Sequence, residues 1–129
     1  MVTTERFAQG MTMAEYLAQM SANRERLADA IRRTALAPAD EHLLERLGNP
    51  RKVLVLTEDW CGTSIMYVPF VAKLVETRPE VELRVFLRDQ NPDLMDQYLK
   101  HGKYRSIPVF AFFDAEMREL ARFIEQRPA

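Results

Sequence analysis

Four consecutive aliphatic residues, Val53 to Leu56, run without a polar interruption into a turn that ends on Cys61, the single cysteine of the chain. An unbroken aliphatic run of this kind suits a strand buried on both faces, as in a parallel sheet covered by helices. The residues beyond the turn follow a different period, with Tyr67, Phe70, Val71, Leu74 and Val75 recurring at helical spacing. Cys61 therefore falls at a strand-to-helix junction, with its sulfur toward a helix N-terminus. Free N–H groups and the positive end of the helix dipole favour an anion there, and a thiolate in such a place is nucleophilic near neutral pH. Gly62 is read as letting the backbone approach the sulfur closely. Ser64, on the first helical turn, is placed to donate a hydrogen bond to a thiolate.

Composition narrows the classes of function. With 129 residues, 47% of them hydrophobic, residues 1–129 fit one domain with a genuine core and no need of disulfide staples. A net charge of −1 with the two signs interspersed supplies no basic stripe, which argues against a nucleic-acid partner. Apolar runs such as Val109–Phe113 are far shorter than the ~20 residues that span a membrane. The start, Met1-Val-Thr-Thr-Glu-Arg-Phe, has no apolar core behind a basic end and does not read as a signal peptide. One unpaired cysteine fits a reducing cytoplasm.

The chain order gives a two-part organisation, a helical elaboration over residues 1–50 and a core over 52–125. Residues 1–10 read as a loose arm. Thr12 to Glu15 is a capping-box pattern, and Tyr16, Leu17, Met20, Leu27 and Ile31 then predict one amphipathic helix through Arg33. A second short helix begins at Ala37-Pro38, carries Leu43, Leu44 and Leu47 on one side, and is stopped by Gly48-Asn49-Pro50. After the cysteine helix, Val81–Leu87 predicts a parallel strand reached through a right-handed crossover. Asn91-Pro92-Asp93 opens a helix with Leu94, Met95, Tyr98 and Leu99 on its apolar face, which Gly102 ends. Ile107–Phe113 and an antiparallel edge strand over 118–125 complete the pattern.

Several of these residues together resemble the thioredoxin superfamily. Trp60-Cys61-Gly62-Thr63-Ser64 is similar to the Trp-Cys-Gly-Pro-Cys of thioredoxins. Pro69, eight residues beyond the cysteine, matches their kinking proline, and Ser106-Ile107-Pro108 matches the cis-proline that faces the cysteines. The resemblance implies a thioredoxin-like α/β fold with a four-stranded mixed sheet in the order 81–87, 53–57, 107–113, 118–125, flanked by helices, with two extra N-terminal helices. It also implies a cis bond before Pro108 that exposes the backbone of Ile107 to an extended peptide over Cys61. Two departures bear on activity. Ser64 stands where thioredoxins have their second cysteine, so no intramolecular disulfide can form, and Val55 stands where they bury an acid. Thioredoxins also continue into a last helix over one sheet face, where this sequence has only Gln126-Arg-Pro-Ala. The expected cover is the pair of N-terminal helices, with a homodimer as the competing arrangement.

The site residues follow from these matches. Cys61 is the expected nucleophile and Ser64 its neighbour on the helix, while Trp60, Gly62, Thr63, Ile107, Pro108 and Arg105 are expected to border the substrate. Arg105, with Lys103, is read as an offset to Glu58 and Asp59 beside the sulfur, and as an anchor for an anionic substrate such as glutathione. His42 and His101 read as surface residues without a link to Cys61, His101 near a helix C-terminus. The first function this supports is a monothiol thiol–disulfide oxidoreductase acting on mixed disulfides, with an external thiol as reductant, no bound cofactor and no metal. The alternative is a non-catalytic thioredoxin-fold binding module. A third reading rests on the similarity of Cys61-Gly62-Thr63-Ser64 to the Cys-Gly-Phe-Ser of monothiol glutaredoxins, which hold an iron–sulfur cluster with glutathione. Trp60 and Pro69 fit thioredoxins better, and no Gly-Gly pair follows the last hairpin.

Overall fold

The computed structural model describes residues 1–125. Gln126 to Ala129, on which the expectation about a last covering helix falls, lie outside the described residues. Four strands form one mixed sheet: β1 (Lys52–Thr57), β2 (Glu82–Leu87), β3 (Val109–Phe113) and β4 (Glu119–Ile124). Their order is β2-β1-β3-β4, with β1 parallel to β2 and antiparallel to β3, and β3 antiparallel to β4. This is the order expected from the sequence.

The aliphatic run of β1 explains why the sheet has two covered faces. Leu54 and Leu56 point into one apolar cluster with Val109, Ala111 and Phe113, while Val53 and Val55 point into a second with Phe110 and Phe112. These four residues of β1 are wholly inaccessible to solvent, and each such burial is worth about 1.5–3 kcal/mol. Among the described residues six α-helices supply the cover: α1 (Thr4–Phe7), α2 (Met13–Gln19), α3 (Arg24–Arg33), α4 (Leu43–Arg46), α5 (Gly62–Glu76) and α6 (Pro92–Met95). Phe7 of α1 with Leu94 and Met95 of α6 close the first face, and α5 with Tyr16, Leu27 and Leu44 closes most of the second.

The N-terminal region differs from the sequence expectation in three places. Residues 1–10 are not a loose arm, because Val2 and Phe7 are buried in the core and Arg6 is anchored on Asp93 (2.9 Å) and Asn91 (2.7 Å). Met11 exchanges backbone hydrogen bonds with Val85 at 2.9 and 2.7 Å, closing the outer edge of β2. The expected single helix to Arg33 is two helices, since Met20 is extended and Asn23 has φ of 62°. The N–H groups that this break frees at Ser21 and Ala22 donate to the Asp59 carboxylate at 3.0 and 3.3 Å, so the cost of interrupting the helix is offset by a tertiary contact. The next segment is a 3-10 turn over Pro38–His42 leading into α4, not one regular helix.

The helix expected to run to Gly102 is also shorter. It ends at Met95, although Leu94, Met95 and Tyr98 are buried as the pattern required. His101 therefore caps no helix, lying in a turn with φ of 54° next to Gly102. On the second sheet face the N-terminal helices leave a gap. An apolar groove of about 620 Å³ lies between α4, α5 and β3–β4, lined by Leu43, Leu47, Tyr67, Phe70, Phe110 and Phe123 among others. No described helix is long and apolar enough to cross a membrane.

Candidate functional site

Cys61 is the N-cap residue of α5 and makes no capping hydrogen bond with its side chain. The first N–H groups of a helix have no partner within the helix, and the sulfur beside that helix start is half-buried. Opposite stands the loop before β3. The Ile107–Pro108 peptide bond is cis, and the Cys61 thiol donates to the carbonyl oxygen of Ile107 at 3.9 Å. Ile107 and Pro108 are both buried. The fold thus brings Cys61, Ile107 and Pro108 together from segments 46 residues apart.

The turn that carries the cysteine is clamped from two sides. Glu58, though buried, accepts the N–H of Asp89 at 2.9 Å. Asp59 accepts from the backbone and hydroxyl of Ser21 and from Ala22, while Asn23 Nδ2 donates to the Asp59 carbonyl at 2.8 Å. The Ser21 N–H, above all, holds the Asp59 carboxyl below its usual range, burial pulling the other way. The two acids are consequently engaged as braces of the turn and are not offset by Lys103 and Arg105. Arg105 pairs with Asp96 at 3.1 Å on the surface, and Lys103 lies over the Tyr104 ring.

Trp60 is about half exposed, 54%, and the guanidinium of Arg88 lies 5.0 Å from its ring centre. Arg88 also donates to the Arg105 carbonyl at 3.2 Å and pairs with Asp89 at 2.9 Å. It ties the tryptophan to the segment before Pro108. Sequence reading missed Arg88 because it follows a strand with no motif around it; only its position in register beside the end of β1, Leu87 opposite Thr57, marks it.

Ser64 departs from its expected role. Its hydroxyl is buried and accepts a hydrogen bond from Thr57 Oγ1 at 2.6 Å, and no hydrogen bond joins it to the sulfur. The phenol of Tyr16, 1% exposed, lies near Thr57. Burial pushes the Tyr16 phenol up to about 12, with the neighbouring Thr57 hydroxyl acting against it and Asp59, Glu58 and Cys61 adding to the rise. Gly62 is not required by a close approach either, since a Cβ there would meet nothing within 4 Å. Thr63 is half-buried on the first turn. Val55 lies in the sealed core, and His42, exposed, pairs only with Glu45 at 3.5 Å.

No curated protein matches this sequence. Among solved structures, a protein of unknown function from Pseudomonas aeruginosa superposes with a TM-score of 0.75 at 21% identity, over 99% of this chain and 79% of its own. An HIV epitope-scaffold superposes with a TM-score of 0.77 at 21% identity, over 95% of this chain and 77% of its own. Both likenesses speak to the fold alone. A family model described as thioredoxin matches residues 10–129, nearly the whole sequence, and includes the strand, the cysteine turn and the proline loop. With that match and this sheet, the chain belongs to the thioredoxin family.

Proposed function

We propose that this protein is a monothiol thiol–disulfide oxidoreductase that acts through Cys61 on mixed disulfides of protein or low-molecular-weight thiols in a reducing cytoplasm. The observation that supports this is the position of Cys61, uncapped at the start of α5 with its sulfur 3.9 Å from the Ile107 carbonyl. The Cys61 thiolate attacks one sulfur of the substrate disulfide, a new S–S bond forms to Cys61, and the other sulfur leaves as a thiolate that takes up a proton. Ser64 offers no second sulfur, so an external thiol such as glutathione attacks the Cys61 mixed disulfide, leaves as a disulfide and returns the Cys61 thiolate. No bound cofactor is needed. Trp60 and Pro108 would flank the substrate, with Ile107 presenting backbone, Gly62 and Thr63 presenting first-turn N–H groups, and Arg105 at the rim.

The test is a glutathione-coupled mixed-disulfide assay on the full chain. Turnover that disappears in Cys61→Ser supports the proposal, whereas absence of turnover with several thiols overturns it. A second reading, a non-catalytic binding module, is favoured by one observation, the apolar groove beside α5. Exposed apolar surface of that extent on a monomer is often an interaction site. On that reading Cys61→Ala, which removes every thiol, leaves partner binding unchanged.

A further inference from the structure

Two segments flank the sulfur of Cys61, the turn over residues 58–61 and the loop over 105–108, and the bond from the thiol to the Ile107 carbonyl is one point where they meet. Arg88, in the turn after β2, joins them at a second point. On one side its guanidinium lies 5.0 Å from the centre of the Trp60 ring; on the other its Nη1 donates to the Arg105 carbonyl at 3.2 Å. Its Nε donates to Asp89 Oδ1 at 2.9 Å, which fixes the plane of the fork. The backbone beneath Arg88 is itself anchored. The Asp89 N–H donates to Glu58, in the same turn as Trp60, at 2.9 Å, and Asn91 Nδ2 donates to the Leu87 carbonyl at 2.8 Å. The Arg88 side chain is mostly covered while Trp60 is half exposed, so the arginine occupies one face of the indole and leaves the rest to solvent next to Cys61.

We infer that Arg88 is a positioning residue that makes the site selective for mixed disulfides of peptides over those of small thiols, by holding Trp60 and the Arg105 carbonyl as two walls of one groove. The inference rests on the reading of Cys61 as the reacting group. A half-exposed indole has several rotamers open to it, and a cation over its face holds one of them. Arginine suits this task better than lysine, since its planar fork can stack on a ring and donate to two oxygens at once. A peptide lying along the loop passes Arg105, two residues before the Ile107 that stands at the sulfur, and comes within reach of Trp60. A disulfide with two-carbon arms ends beside the sulfur and meets neither wall. Loss of the Arg88 clasp therefore deprives the larger substrate of a preorganised surface that the smaller one does not use.

The experiment compares two disulfides in the glutathione-coupled assay: a cysteine-containing peptide joined to β-mercaptoethanol, and hydroxyethyl disulfide. In Arg88→Gln the ratio of kcat/KM for the peptide to that for the small disulfide falls about threefold to tenfold. A loss of packing alone would lower both values alike and leave the ratio in place. Trp60 is the single tryptophan of the chain, so acrylamide quenching of the intrinsic fluorescence reads the same clasp without reference to Cys61, and it increases in Arg88→Gln. A ratio equal to that of the wild type overturns the inference, as does unchanged quenching. If Arg88→Gln does not fold, Arg88→Lys, which keeps the charge but not the fork, decides the matter by the same two measurements. Wild-type turnover with an unchanged ratio removes only this inference, and absence of wild-type turnover with either disulfide removes the reading of Cys61 and this inference with it.

Discussion

Asp59 shows how much of the site depends on single side chains that no motif marks. Its carboxylate accepts from Ser21 twice and from Ala22 once, and the Ser21 N–H above all holds its pKa below the usual carboxylate range. Because folding lowers this pKa, the stabilisation is complete above the unfolded value of about 3.9 and is lost as the pH falls through the lower folded value. Asp59→Asn should therefore melt below the wild type at pH 7, with the gap closing toward pH 3; a gap constant with pH would contradict this assignment. From sequence, Asp59 reads as a charge beside the sulfur, because partners 37 and 38 residues away leave no local trace. Cys61, Ile107 and Pro108 were legible for the opposite reason, since each sits in a short pattern whose geometry is local. Ser64 was legible as a position but not in its contact, which depends on a threonine from the strand.

At the scale of elements, hydrophobic period identified the four strands and α5, and the structure keeps their order. Helix ends were less legible, because they are decided by what the chain turns toward. The periodicity of Tyr16, Leu17, Met20, Leu27 and Ile31 is helical throughout, yet the chain breaks at Met20–Asn23 to reach the cysteine turn. Asn23 adopts φ of 62° and ties its side chain to the Asp59 carbonyl. Its replacement by Ala should cost about 1–3 kcal/mol, combining a left-handed residue with a Cβ and a lost hydrogen bond. Asn23→Gly should cost less than Asn23→Ala, since it relieves the backbone strain and loses only the bond. Urea unfolding of the two variants checks the order, and equal stabilities would show that the backbone conformation contributes nothing.

Across the whole molecule, the N-terminal region is part of the core. Phe7 is fully buried, Arg6 joins Asp93, and Met11 closes the β2 edge. Phe7→Ala should destabilise the protein by about 3–5 kcal/mol, a large share of the 5–15 kcal/mol typical of a domain. A thermal melt showing less than 1 kcal/mol would return residues 1–10 to the status of a loose arm. Sequence reading missed this because so short a helix has no period to detect. The same N-terminal region braces the cysteine turn through Ser21, Ala22 and Asn23, so fold and site share these contacts. That shared dependence is what the glutathione-coupled mixed-disulfide assay tests most directly. The account predicts turnover by the wild-type chain that Cys61→Ser abolishes without loss of its folded structure. Turnover unaffected by Cys61→Ser, or none with any of several thiols, would contradict it.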